Sequence, residues 1–272
     1  MIKCVASDLD GTLLYQGKLS DNNLKAIKLL EKNNILFVIA TGRNLQELEL
    51  LDLRGVRCPK VMGNGPLVVD EDNNIISMTN IGDAALRKVI TVLDKYDIGY
   101  MFYTAYKRYV VKYDQLINSF DADRSVFGLG FFNNVERVNG IEDINFPICK
   151  IEVMDGKNFD LISLIRKQIE QIDGVYATSS NKNNIEIIVK GGNKYNGLVE
   201  LMEKYKFNKD ELAVFGDSDN DFSMFENVYE SYAMGNANDL IKTHAKHITL
   251  DCKDDGFYHS VLKIIENNQN IF

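Results

Sequence analysis

The sequence predicts an α/β fold: a doubly wound, mostly parallel sheet interrupted by an inserted α+β domain. Three observations carry this. Strand-like runs near both chain ends, "IKCVAS", "ILFVIATG" and "LAVFGDSD", are continuously apolar, the pattern of strands covered by helices on both faces. Amphipathic helices alternate with these runs. From about residue 81 to 190 the texture changes to longer helices and strands of alternating polarity.

Taken in order, "IKCVAS" is the first strand. Ser20 in "LSDNN" is placed to cap a helix whose Leu24, Ile27 and Leu30 face inward. "ILFVIATG" is the next strand. In the insert, "DAALRKVITVLDKY" puts Leu86, Val89, Ile90 and Leu93 on one helical face, and "FDLISLIRKQIEQI" does the same with Leu161, Ile165, Ile169 and Ile172. "ICKIEVM" and "NIEIIVK" alternate as half-exposed strands do. After residue 191 a helix carries Leu198, Leu201, Met202 and Tyr205, followed by strands in "LAVFGDSD", "SYAMG" and "HITL". Residues 1–80 and 191–272 are thus expected to form one core domain, and residues 81–190 the insert, with boundaries near Asn80 and Gly191-Gly192.

Composition bounds the function. A chain of 272 residues suits two domains, and 45% hydrophobic with 26% charged residues supports a buried core rather than disorder. The net charge of -8 argues against a nucleic-acid surface, which needs excess Lys and Arg to neutralise phosphates. No apolar run is long enough to span a membrane, and the first strand meets an acidic end too early for a secretion signal, so a cytoplasmic protein is expected, monomeric by default. Cys4, Cys58, Cys149 and Cys252 have no CxxC spacing and read as reduced, buried small hydrophobes.

Polar residues gather at three strand ends: Asp8 and Asp10; Thr41, Gly42 and Arg43; and Asp217, Asp219, Asn220 and Asp221. Ligands of open parallel sheets collect beyond the carboxyl ends of the strands, so these groups are expected to converge. Two like charges ~4 Å apart repel by ~4 kcal/mol at an effective dielectric of about 20, so several carboxylates there imply a cation or raised pKa values. Oxygen ligands suit Mg2+. "DSDND" is no EF-hand, because Phe222 and Val228 stand where that loop needs Gly and Glu. No GxGxxG follows the first strand, and the "GLG" at 128–130 lies in the insert. Lys182 and Lys190 read as surface charge, Arg43 as an ion-pair partner and Asp219 as a helix N-terminal residue.

Together, "DLDGTLL", "ATGR", the lysine of "GGNKYNGL" and "GDSDNDFSMF" resemble, in order, the four motifs of the haloacid dehalogenase superfamily of phosphatases. The large insert, "VMGNGPLV" and the tail "NANDLIKTHAKHITLDCKDDGF" resemble its Cof-like subfamily. The resemblance implies a Rossmann-like core with an α+β cap that selects the substrate. It implies Asp8 as nucleophile and Asp10 as general acid and base, with Gly11 allowing the tight turn and Thr12 holding Asp10 within it. Thr41, the N–H groups of Gly42 and Leu9, Lys194 and Asn220 are implied to hold the phosphate. Mg2+ is implied on Asp8, the Asp10 backbone carbonyl and Asp217, with Asp221 supporting the metal or orienting Lys194. The implied activity is hydrolysis of small phosphate monoesters through an aspartyl phosphate, with a phosphorylated metabolite as partner. A phosphomutase shares the Asp pair, and a non-catalytic phosphate binder shares the fold. Asn193, Tyr195 and Asn196 around the lysine depart from the usual smaller residues. Tyr100, Tyr103, Tyr106, Tyr109 and Tyr113 with Lys107 and Arg108 have two readings, a packed strand pair or an aromatic and basic rim for substrate.

Overall fold

The apolar runs at the two chain ends share one sheet. Among residues 1–120, 134–179 and 183–270, which the computed structural model describes, its strand order is His247–Ile248, Glu230–Ala233, Leu212–Gly216, Cys4–Ser7, Leu36–Ala40, Lys60–Met62, Leu67–Val69 and Ile75–Met78. Every neighbouring pair from His247–Ile248 to Lys60–Met62 is parallel, and Leu67–Val69 turns back antiparallel. Ser7 is in register with Phe215 on one side and Ile39 on the other. Chain order reverses between Cys4–Ser7 and Leu212–Gly216, so the residues just past these strands and past Leu36–Ala40 meet at the switch point of an α/β sheet. The gathering of acidic and small polar residues at these ends follows from that topology.

This sheet belongs to a compact unit of Met1–Gly42, Leu51–Ser77 and Lys194–Phe272. Its Asp21–Lys32 helix begins where expected, the Ser20 hydroxyl accepting the Asn23 N–H at 3.0 Å. The inward face is Asn23, Ala26, Ile27 and Leu30, with Leu24 only half-buried. Asn23 can be buried because its Nδ2 donates to the Leu13 carbonyl at 2.9 Å. The Lys194–Tyr205 helix buries Lys194, Gly197, Leu198 and Leu201, while Met202 and Tyr205 stay at the margin. Gly197 permits this packing, since a Cβ there would collide with the Val61 side chain. No described helix is long and apolar enough to cross a membrane. All four cysteines are free and buried.

The second unit comprises Arg43–Leu50 and Met78–Asn193. The hydropathy pattern gives no sign that residues 43–50 join it. They do so through the Leu45–Glu49 helix, whose Glu47 pairs with the fully buried Arg108 at 3.2 Å. Asn44 and Glu47 close a capping box that fixes the glutamate, with bonds of 3.0 and 2.9 Å. The described sheet runs Val135–Arg137, Arg108–Val111, Tyr100–Tyr103, Lys150–Met154, Asn184–Val189, Val175–Thr178, antiparallel except for the first pair. The Asp83–Leu93 and Phe159–Ile169 helices supply Leu86, Val89, Leu93, Ile162, Ile165 and Ile169 to one apolar core with Phe102, Ile151, Val153, Ile185 and Ile187.

The alternating strands of this unit are not half-exposed. Lys150–Met154 is buried throughout, and Lys150, Glu152 and Glu186 lie inside. Burial is tolerated because these groups satisfy one another. Lys150 reaches Glu186 at 3.1 Å and Glu152 at 3.5 Å, Tyr103 donates to Glu152 at 2.5 Å, and Asn184 donates to Glu152 at 3.0 Å. Burial opposes the charge of Glu152, yet Lys150 and the Tyr103 and Asn184 bonds hold its pKa below the usual carboxylate range. The tyrosine cluster is mostly packing: Tyr100, Tyr103 and Tyr109 are buried, Arg108 is fully buried, and only Tyr106 is widely exposed, with Lys107 paired to Glu136 at the surface. The "GLG" at 128–130 and Lys182 lie outside the described residues.

Replacing Lys150 by Met leaves Glu152 and Glu186 buried without their ammonium and should destabilise the unit by about 3–5 kcal/mol, read by urea unfolding. The sign for Glu152 follows from its lowered pKa. Its contribution is complete above its ordinary value of 4.5 and is lost as pH falls through the lower folded value, so Glu152→Gln should flatten the acid limb of the stability profile.

Candidate active site

Asp8 follows the central strand and is held there by its N–H, which donates to the Phe215 carbonyl at 3.0 Å. Lys194, the first residue of its helix and fully buried, places Nζ 2.5 Å from Asp8 Oδ1 and 2.6 Å from Asp221 Oδ1. Asp221 is fixed in turn: its Oδ2 accepts the N–H groups of Asp217 at 2.8 Å and Ser218 at 3.1 Å. Asp217 accepts the Thr12 hydroxyl at 2.8 Å. Gly11, at φ +83°, gives this carboxylate room, because a Cβ there would lie 2.8 Å from Asp217 Oδ2. Asp8, Asp217 and Asp221 each present an oxygen within 4.8 Å of the others.

Three carboxylates face one ammonium, an excess of negative charge when all are ionised. The titration of the groups reflects this excess. Burial raises the Asp8 carboxyl well above the usual range; Lys194 opposes the shift, and Asp221 and Asp217 reinforce it. Asp217 is pushed up to about 7 by burial and by Asp221, against the Thr12 bond and Lys194. Burial disfavours the charge of Lys194, but Asp221 and Asp8 outweigh it and hold its pKa above the ordinary lysine range. A cluster of hard oxygen donors with uncompensated negative charge, no thiolate and no imidazole fits Mg2+.

The other residues singled out in the sequence take definite places. Asp10 is exposed, bridges to Leu14 through the backbone, and lies near enough to Asp217 to add to its raised pKa. Leu9 is buried, its carbonyl accepting the N–H groups of Leu13 and Leu14. Thr41 is buried, with its N–H on the Val61 carbonyl, and the half-buried Gly42 follows it. Asp219 opens the 3-10 turn Asp219–Asp221 and accepts a bond from Asn238 at 2.8 Å. One placement differs from expectation. The Thr12 hydroxyl holds Asp217 and not Asp10. The Asn220 amide nitrogen donates to Asn64 Oδ1 at 3.1 Å, which adds Asn64 to the residues expected here. Its signal was the "GNG" inside "VMGNGPLV", where consecutive residues adopt left-handed backbone.

A profile of the haloacid dehalogenase-like hydrolases matches residues 5–261. The chain is 28% identical over 257 residues to the 5-amino-6-(5-phospho-D-ribitylamino)uracil phosphatase YcsE of Bacillus subtilis, covering 94% of this chain and 92% of the relative. A haloacid dehalogenase-like hydrolase from B. subtilis superposes with a TM-score of 0.84 at 22% identity, over 96% of this chain and 99% of the other. The sugar phosphatase BT4131, of the subclass IIB of this superfamily, gives 0.79 at 19% identity, over 96% and 98%.

Gly11→Ala should displace Asp217 and weaken divalent-cation binding without unfolding the protein, as read by calorimetric titration. With the folded pKa of Asp217 above its unfolded value of 3.8, the cation must displace a proton. Divalent-cation affinity should therefore rise as pH increases through about 7, and less steeply in Asp217→Asn, where only the raised Asp8 carboxyl remains to be displaced.

Proposed function

The chain belongs to the haloacid dehalogenase-like hydrolases, in their Cof-like branch, and is a phosphoric monoester hydrolase; on that premise we propose that it is a Mg2+-dependent phosphatase of small phosphorylated metabolites that carries the phosphoryl group transiently on Asp8. The observation that supports this most is the Lys194 ammonium between Asp8 and Asp221, with Asp217 alongside. That arrangement gives a carboxylate a fixed orientation at a sheet edge where an anion must be received.

In this reading the Asp8 oxygen not bound to Lys194 attacks phosphorus as the bond from phosphorus to the leaving oxygen breaks. Asp10, two residues on and exposed, protonates the departing alkoxide. It then takes a proton from the water that attacks the aspartyl phosphate, releasing orthophosphate and restoring the Asp8 carboxylate. Lys194 keeps Asp8 aligned and offsets charge as it builds on the phosphoryl oxygens. The Thr41 hydroxyl and the N–H groups of Gly42 and Leu9 receive those oxygens. Asp8, Asp217 and the Asp10 carbonyl would hold Mg2+, which supplies a positive charge to a dianionic substrate as it meets an acidic cluster.

Substrate choice is assigned to the inserted unit, Met78–Asn193 with Arg43–Leu50. The names of YcsE and BT4131 support a phosphorylated polyol, sugar or similar metabolite. Four free buried thiols support a reducing, cytoplasmic setting.

Purified protein incubated with p-nitrophenyl phosphate and a panel of sugar and polyol phosphates should release orthophosphate only with Mg2+ present. Transfer to a second position of the substrate with no free phosphate would identify a mutase instead. Asp8→Asn should reduce turnover to background while remaining folded. Asp10→Asn should still bind orthophosphate but lose about 10²–10⁴-fold in kcat.

A further inference from the structure

We propose that Asn64 supplies a further side-chain amide that receives a phosphoryl oxygen at this site, held in place by Asn220. Asn64 lies just past the Lys60–Met62 strand, the parallel neighbour of the Leu36–Ala40 strand that leads into Thr41. It is 1% exposed, and its N–H donates to the Thr41 carbonyl at 3.0 Å. The backbone holds it in the left-handed region at φ +65°, between Gly63 at +60° and Gly65 at +128°. Asparagine is among the few side-chain-bearing residues that accept this conformation readily. The turn therefore spends an unusual geometry on placing one amide beside Thr41 and Asn220.

The direction of the hydrogen bonds identifies which end of that amide is available. Ser218 closes a capping box with Asp221, and its hydroxyl donates to Asn220 Oδ1 at 3.2 Å. Asn220 Nδ2 then donates to Asn64 Oδ1 at 3.1 Å. The relay ends at Asn64 Nδ2, a buried donor for which the described residues offer no acceptor. Buried donors without acceptors are uncommon and costly. Here the other end of the same amide, Oδ1, is bonded to the turn that carries Asp221, which itself grips Lys194. An anionic tetrahedral oxygen in this place would complete the relay from Ser218 through Asn220 and Asn64. One of the two Asn220 amide hydrogens is committed to Asn64, which fixes the orientation of both amides.

The inference rests on the phosphatase reading, and its test is read by binding as well as by turnover. Asn64→Gly keeps the left-handed turn and removes the amide. Asn64→Asp keeps an oxygen for Asn220 and replaces the free donor by an acceptor. Orthophosphate binding in the presence of Mg2+, measured by calorimetry on variants whose thermal unfolding matches wild type, should weaken about tenfold or more in both. KM for p-nitrophenyl phosphate should rise in parallel with a smaller change in kcat. Wild-type affinity retained within about twofold by Asn64→Gly overturns the proposal; if that variant fails to fold, unchanged orthophosphate binding by Asn64→Asp overturns it. Wild-type protein that binds orthophosphate but hydrolyses no monoester refutes the phosphatase reading alone, and wild-type protein that binds no orthophosphate refutes both.

Discussion

A lysine ammonium buried between two aspartates is the interaction on which the rest of the first unit depends. Lys194 has no solvent to turn to, and its two bonds of 2.5 and 2.6 Å bring the strand ends at Asp8 and Asp221 to the helix that starts at Lys194. Charge burial of this kind is costly unless the partners are fixed, which explains the supporting bonds. Asp221 is clamped by the N–H groups of Asp217 and Ser218, and Asp217 by Thr12. Each clamp comes from a loop beyond a different strand of the sheet, so the cluster and the topology specify one another.

The two units bury charge in contrasting ways. In the second, Glu152 is surrounded by Lys150, Tyr103 and Asn184, and its pKa is held low. Such a group is satisfied, and it stabilises the fold. In the first, Asp8 and Asp217 are raised because burial and mutual repulsion exceed what a single ammonium can offset. Folding alone leaves these carboxylates short of positive charge. That deficit is one a bound cation would relieve, whereas the network within the second sheet balances its own charges.

Much of this was legible along the chain. Continuous apolar runs identified the parallel strands because burial on both faces excludes polar residues. Ser20 identified a helix start because its hydroxyl has a local partner three residues on, in Asn23. Asp8, Lys194, Asp217 and Asp221 stood out as a set through their order and their neighbours. Polarity misled where distant partners decide burial: Lys150, Glu152 and Glu186 read as solvent-facing, yet each is buried by groups on other strands and on a tyrosine or asparagine that periodicity does not weigh.

By itself the sequence determined the elements, the strand ends that carry chemistry and the residue types found there, because these depend on local periodicity, capping and short spacing. Only the tertiary structure decided which side chains join hands across the sheet. Thr12 serves Asp217, Glu47 draws residues 43–50 to Arg108, and Asn220 gives its amide to Asn64, 156 residues away. Hydrogen bonds and ion pairs are selected by distance and direction in space, and neither is encoded by separation along the chain.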